Sequence, residues 1–203
     1  MSSFSLILAS QSPRRQDLLR DLDISFRVEA ADVEEVPRAG ERPVIFSKRM
    51  AQEKARSVSL KFPQDWVLGA DTVVSLGKRI FGKPDSPREA KKFLEALSGK
   101  PHLVFTGFCL INQSLKKAVA GCVGTRVTFK RLSHWEIDWY LQTGEPLDKA
   151  GAYAIQGRGA FLVREIKGSY TNVVGLPVTE VLEAFEKNAG FRLGGNTKHA
   201  FQP

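Results

Sequence analysis

Two adjacent arginines stand where a helix least tolerates them. Ser5–Ser10 (SLILAS) reads as a short buried strand, and Gln16–Leu22 carries helical spacing through Leu18, Leu19 and Leu22. Between them, Ser12 suits an N-cap and Pro13 a first helical residue. Arg14 and Arg15 then fall in the first turn, beside unpaired N–H groups and the positive end of the helix dipole. Each cation there costs roughly 0.3–1 kcal/mol. A bound anion such as phosphate would reverse that cost; without one, the two side chains simply fan into water.

Asp71 raises the opposite question. It lies inside the apolar run VLGADTVV, where a bare carboxylate would cost several kcal/mol. It must be neutral, paired in a structural ion pair, or holding a metal, and Gly69 allows close backbone approach. Glu34 and Glu35, in the turn after Asp32-Val33, offer further carboxylates; with Asp71 they could bind a hard cation such as Mg²⁺ through oxygen. Lys54 on a helix and Lys83 in a Gly-Lys-Pro turn could meet phosphates, or could be solvated surface lysines. Gln156, entering the turn Gly157-Arg158-Gly159, could read a base edge or stabilise the turn. Asp148-Lys149 could form a local ion pair. There is no GxxxxGK[ST] motif and no GxGxxG after a strand. Phosphates would therefore be held by charged side chains and the first helix start. Spacing alone leads to a cationic, metal-assisted phosphate site and leaves its reaction open.

The elements that must position these residues alternate. After the first strand and helix come a strand near Phe26–Ala30 and a helix over Pro43–Leu60, with Ile45, Met50, Ala51, Ala55 and Val58 inward. Trp66–Leu76 reads as a central strand buried on both faces. Capping boxes at Ser86–Glu89 and Ser133–Glu136 open helices that stop at Gly99 and Gly144. Leu103–Ile111 and Val119–Phe129 read as paired strands, Ala152–Ile155 and Ala160–Ile166 as two more, and Pro177–Asn188 as the last helix. The alternation predicts an α/β protein with a mixed sheet.

The 203 residues suit one domain over 1–190, with 191–203 expected as a mobile tail. No apolar run approaches the roughly 18 residues of a membrane span, and no leader pattern opens the chain, so a cytoplasmic location is expected. The two cysteines, Cys109 and Cys122, lack metal-ligand spacing and read as reduced buried thiols. Three scattered histidines argue against most zinc-hydrolase and Ser-His-Asp schemes. The net charge of +8 suits a polyanion, but its spread along the chain, without interleaved aromatics, favours a nucleotide over a nucleic acid.

At these residues the chain resembles the Maf family of nucleoside triphosphate pyrophosphatases, from Leu6 to about Phe185. The resemblance rests on LILASQSPRRQDLL, VEE, AQEKA, GADTVV, GKPDSPREA, LSGKPHLVFTG, GEPLDKAGAYAIQGRGA and VVGLPVTEV, in that order. It implies an elongated mixed β-sheet flanked by helices, like that of inosine triphosphatases, with the active site in a cleft between two lobes. It implies cleavage of a nucleoside triphosphate to monophosphate and pyrophosphate, a Mg or Mn cofactor, and homodimers. It also implies Asp71 as catalytic carboxylate and metal ligand, Glu34 as its acidic partner near the cation, and Arg15, Lys54 and Lys83 as phosphate contacts, with Arg14 sharing that contact. Arg14, Thr72 and Gln156 resemble the specificity positions of the dTTP/UTP branch, and the same chemistry would fit modified pyrimidine nucleotides. The 7-methyl-GTP branch has Ser-Pro-Trp-Arg and Asp-Gln instead. Ala154 departs from the family's usual Gly, and Met50 from its usual Leu. A non-catalytic nucleotide sensor and a nucleic-acid binder are the alternatives from other classes.

Overall fold

The run WVLGADTVVSL organises the molecule. In the computed structural model, which describes residues 5–194, it forms one continuous strand buried on both faces. In chain order the elements are β1 (Leu6–Leu8), α1 (Pro13–Arg20), β2 (Arg27–Val28), α2 (Pro43–Ser59), β3 (Trp66–Leu76), β4 (Arg79–Phe81) and α3 (Pro87–Leu97). There follow β5 (Pro101–Asn112), β6 (Lys117–Phe129), α4 (His134–Gln142), β7 (Val163–Lys167), α5 (Tyr170–Val174) and α6 (Val178–Ala189). The sheet runs β2-β1-β3-β5-β6-β7, with β4 added to the end of β3. β1 is parallel to β2 and β3, and the other pairings are antiparallel, so the sheet is mixed.

Helix α2 lies on one face of this sheet at backbone distance, and two glycines make that possible. A Cβ at Gly69 would stand 2.3 Å from the Ala51 carbonyl oxygen, and one at Gly107 would stand 2.3 Å from that of Ser47. Gly107 is the register partner of Asp71. Side chains alternate along a strand, so Gly69 and Asp71 share the face that α2 covers. The buried stripe of α2 (Phe46, Met50, Lys54 and Val58) has i, i+4 spacing and brings Lys54 onto Asp71. The opposite face carries two apolar clusters, one around Leu68 and Phe185, the other around Phe93, Phe129 and Tyr140.

Ile45, expected inward, is 51% exposed, because the stripe starts at Phe46, one residue later. Met50 is fully buried. Ala152–Ile155 is not a strand. Ala150–Ala152 forms a 3₁₀ turn in which Gly151 (φ 69°) and Ala152 (φ 58°) are left-handed, a conformation that no extended strand accommodates. The short elements β4 and α5 have no counterpart among the expected strands and helices. Both cysteines are free thiols. Among the described residues, no helix is long and apolar enough to cross a membrane. Phe191 packs its ring on Phe185; residues 195–203 of the tail lie outside the described residues.

Candidate active site

The sheet has a gap, and a cavity of about 590 Å³ opens there. On one edge of β3, β1 pairs only as far as Leu68 and β4 begins only at Val74. Gly69–Val73 have no strand neighbour on that side. Backbone and side chains from both faces of β3 therefore reach one space: Asp71 from the α2 face and Thr72 from the other. The turn from β1 into α1, the Gly82-Lys83 turn and the segment Asp148–Gln156 complete the walls.

Asp71 is 5% exposed and one of its oxygens, Oδ1, accepts a hydrogen bond from Lys54 Nζ at 2.6 Å. Lys54 also meets Glu35 Oε1 at 2.7 Å, so one ammonium bridges two carboxylates. Burial pushes the Asp71 carboxyl above its ordinary range, with Lys54 and Arg15 pulling the other way. Burial also pushes Glu35 up, but Lys54, Lys83 and Arg15 together outweigh it and hold Glu35 below the ordinary range. The cluster thus keeps one carboxylate firmly ionised and leaves the other closer to neutral pH.

Arg15 lines the cavity but is anchored in the protein. Its Nε donates to the Gly175 carbonyl at 2.7 Å, Nη1 to Ser10 Oγ at 2.9 Å and Nη2 to Thr72 Oγ1 at 3.1 Å. A guanidinium has five N–H groups, so two remain for a ligand. Behind it the hydroxyls form a directed relay. Thr106 Oγ1 donates its only hydrogen to the Asn172 carbonyl at 2.8 Å, so at the 2.9 Å contact between the two threonines Thr72 is the donor. Thr72, one of the expected specificity positions, accepts a hydrogen bond from Arg15 here. Arg14 also lines the cavity; burial pushes Asp148 up, but Lys149, helped by the Arg14 charge, holds it below the ordinary range. No side-chain bond caps α1 at Ser12, and no acidic residue offsets the two cations in its first turn. Lys83 stands exposed on the rim.

Gln156 is exposed at the cavity mouth, in a turn built from 3₁₀ segments. Ala154, where a Gly was expected, is buried, has ordinary negative φ and donates its N–H to Tyr140 Oη at 3.2 Å. Asp148 and Lys149 form the anticipated ion pair at 2.6 Å, and Lys149 also donates to the Glu145 carbonyl at 2.9 Å.

Glu34, expected beside a cation, is exposed and outside the cavity lining; its neighbour Glu35, 44% exposed at its side chain, lines the cavity and pairs with Lys54. The segment is extended, so alternate side chains share a side. Val33 packs on the cluster of Phe46, Met50 and Val73, which turns Glu35 inward and Glu34 outward. The described residues contain no group of three or more His, Cys, Asp or Glu able to hold a metal. Asp71 and Glu35, joined through Lys54, form a two-carboxylate donor set. That suits a hard cation whose other positions are filled by water and phosphate oxygens.

Several contributors escaped sequence reasoning. Ser10, Thr106 and Asn172 act behind Arg15, and Tyr140 and Glu145 act behind Gln156. A polar residue amid the apolar strand LVFTGFCLI was a signal for Thr106, since it faces Thr72 in register. The other four carried none.

A family model described as Maf-like protein matches residues 5–188. A Myxococcus xanthus (strain DK1622) protein is 51% identical over 182 residues, covering 90% of this chain and 91% of that one. One from Geobacter sp. (strain M21) is 50% identical over 184 residues, covering 91% and 95%. Another, from Syntrophus aciditrophicus (strain SB), is 45% identical over 196 residues, covering 97% and 96%. All three of these relatives are described as dTTP/UTP pyrophosphatases.

Proposed function

The chain belongs to the Maf-like family, and from that premise we propose that it hydrolyses dTTP and UTP, and modified pyrimidine nucleotides like them, to the monophosphate and pyrophosphate. One observation carries the reading: a buried carboxylate, Asp71, stands in a cavity walled by Arg14, Arg15, Lys54 and Lys83. Asp71 Oδ1 is taken by Lys54, while Oδ2 has no protein hydrogen bond among the described residues. That oxygen accepts the proton of a water attacking the α-phosphorus. A new O–P bond forms as the bond from the α-phosphorus to the bridging oxygen breaks, and pyrophosphate leaves. The basic side chains offset the charge growing on it. An Asp71 raised by burial is a stronger base than an ordinary carboxylate, which brings it nearer the pH where proton transfer is effective.

Asp71 and Glu35 would hold a divalent cation, Mg²⁺ or Mn²⁺, which supplies positive charge to the phosphate oxygens when bound. Gln156 offers one donor and one acceptor, matching N3–H and O4 of uracil or thymine. Arg14 contacts phosphate beside it, and Thr72 acts on specificity through Arg15. A homodimer and a cytoplasmic location complete the reading.

The test is a panel of nucleoside triphosphates with Mg²⁺ or Mn²⁺, products separated by chromatography. Monophosphate plus pyrophosphate from UTP and dTTP, reduced about 10²–10⁴-fold in Asp71→Asn, is the expected result. Preferred cleavage of a purine nucleotide would overturn the base assignment, and normal turnover by Asp71→Asn would remove Asp71 from the chemistry.

A further inference from the structure

The side chain of Gln156 makes no hydrogen bond among the described residues, although its turn is bonded on both sides. The backbone therefore sets the point from which its side chain reaches into the cavity mouth. That backbone is held by residues that do not line the cavity. Glu145 Oε2 accepts the N–H of Arg158 at 3.0 Å, and Oε1 accepts the N–H of Gly159 at 3.0 Å. Tyr140 donates its hydroxyl to Glu145 Oε1 at 2.8 Å and accepts the Ala154 N–H at 3.2 Å. The pair thus grips the chain two residues before Gln156 and two and three residues after it.

The fit between grip and turn is close. Gly157 is left-handed (φ 67°), which turns the chain so that the next two N–H groups face one carboxylate. A Cβ at Gly159 would stand 2.4 Å from the Ala154 carbonyl oxygen and 2.5 Å from Tyr140 Oη. Tyr140 is fully buried, and its ring packs edge-on against Phe161. Glu145 is fixed in turn: its N–H bonds Thr143 Oγ1 at 3.2 Å, and its carbonyl takes Lys149 Nζ. Only a carboxylate offers acceptors for two N–H groups and a hydroxyl without presenting a donor of its own.

We propose that Glu145 and Tyr140 are positioning residues for base recognition, fixing where the Gln156 amide stands and so which base edge it pairs with. The proposal rests on the reading of Gln156 as base reader. A residue that only propped the fold would alter all substrates alike. A positioning residue alters the choice among bases and spares a substrate that has none.

The experiment measures kcat and KM for UTP, dTTP, CTP and base-free ribose 5-triphosphate. The proteins are the wild type, Glu145→Gln, Tyr140→Phe, Gln156→Ala and the Gln156→Ala/Glu145→Gln double variant, each checked for a cooperative thermal transition. Glu145→Gln turns an amide N–H₂ toward backbone N–H groups. It should cut the UTP-over-CTP ratio of kcat/KM about tenfold, mostly through KM, the fold-change of one lost hydrogen bond. Turnover of the base-free probe should stay the same, and the double variant should discriminate no worse than Gln156→Ala. Equal losses on every substrate, base-free probe included, would overturn the proposal. So would Gln156→Ala losing discrimination while Glu145→Gln keeps it. If Gln156→Ala itself keeps the ratio, the base-reading role fails and takes the proposal with it. Should Glu145→Gln not fold, the near-isosteric Tyr140→Phe decides: a ratio several-fold lower supports positioning, and an unchanged ratio rejects it.

Discussion

On one wall of the cavity, charged side chains project from regular elements into a buried cluster. On the other, an irregular backbone is held in place by side chains anchored outside the cavity. Asp71 and Lys54 sit on β3 and α2, pressed together where Gly69 and Gly107 let helix and sheet meet. Gln156 sits on a 3₁₀ turn gripped by Glu145 and Tyr140. The two walls also handle buried ionisable groups differently. Asp71 stays usable because Lys54 and Arg15 oppose its desolvation. His102, behind the turn wall, has no charged partner among the described residues: Nδ1–H donates to the Lys100 carbonyl and Nε2 accepts the hydroxyl of Tyr153, a bond of 2.9 Å. Burial drives it down to about 4, and it stays neutral. The charged wall keeps its charges and pairs them in one cluster, whereas the turn wall commits its carboxylate, Glu145, to backbone N–H groups and a hydroxyl.

The comparison breaks most easily at Lys54. Lys54→Met would strand the buried Asp71 carboxylate, and removing one partner of a buried pair costs about 3–5 kcal/mol. Losing the opposite charge also removes the main pull that opposes desolvation of Asp71 and raises its carboxyl further. The acid limb of kcat/KM should therefore move to higher pH, together with a lower urea midpoint. An acid limb that stays put would show that Lys54 does not keep Asp71 ionised. The sign for stability is fixed by the same shift. A carboxylate raised on folding contributes stability in full below its ordinary value near 3.8 and loses it as pH rises through the folded value.

His102 tests the other wall, with the opposite sign. Unfolded, it takes a proton near 6.5; folded, not until about 4. Its contribution is present above 6.5 and lost as pH falls toward 4, an effect of roughly 3 kcal/mol for this buried ring. His102→Gln cannot titrate, so urea unfolding from pH 7 to 4.5 should show a flatter pH dependence than wild type. The difference in slope is the diagnostic, because Asp71 works against it in both proteins. Equal slopes would mean that His102 titrates normally in the folded state.

The charged wall was the more legible in sequence, for a physical reason. A carboxylate inside WVLGADTVVSL and two arginines in a first helical turn are costly unless something offsets them, and that cost is visible residue by residue. The same holds for β3, whose apolar run matches the strand residue for residue, and for Ser86 and Ser133, which both cap their helices. What sequence left open was which of two adjacent carboxylates turns inward, since that follows from Val33 packing on Phe46 and Met50. The turn wall was misread because AYAI has strand composition. Its left-handed Ala152 is imposed by tertiary packing, with the preceding Gly151 flush against Val74. Backbone held by distant side chains leaves no periodic trace.

Arg15 joins the two walls, and the relay behind it gives the smallest effect. Thr106→Val keeps the shape of a buried residue but removes the donor to the Asn172 carbonyl and the acceptor for the Thr72 hydroxyl. Leaving a buried polar group unmet costs about 1–3 kcal/mol. The lower end applies here, because Thr72 can turn its hydrogen to the Gly175 carbonyl, already 3.4 Å away, which leaves the Asn172 carbonyl as the group that loses its donor. Thr72 would still accept from Arg15, so the guanidinium keeps its bonds to Ser10 and Gly175 and its charge stays in the cavity. The expected outcome is an unfolding free energy, measured in urea, lowered by about 1 kcal/mol, a KM raised no more than a few-fold and an unchanged kcat. A large fall in kcat would mean that Arg15 is oriented through the threonines rather than by Ser10 and Gly175. The relay would then belong to the charged wall's chemistry and not merely to its support.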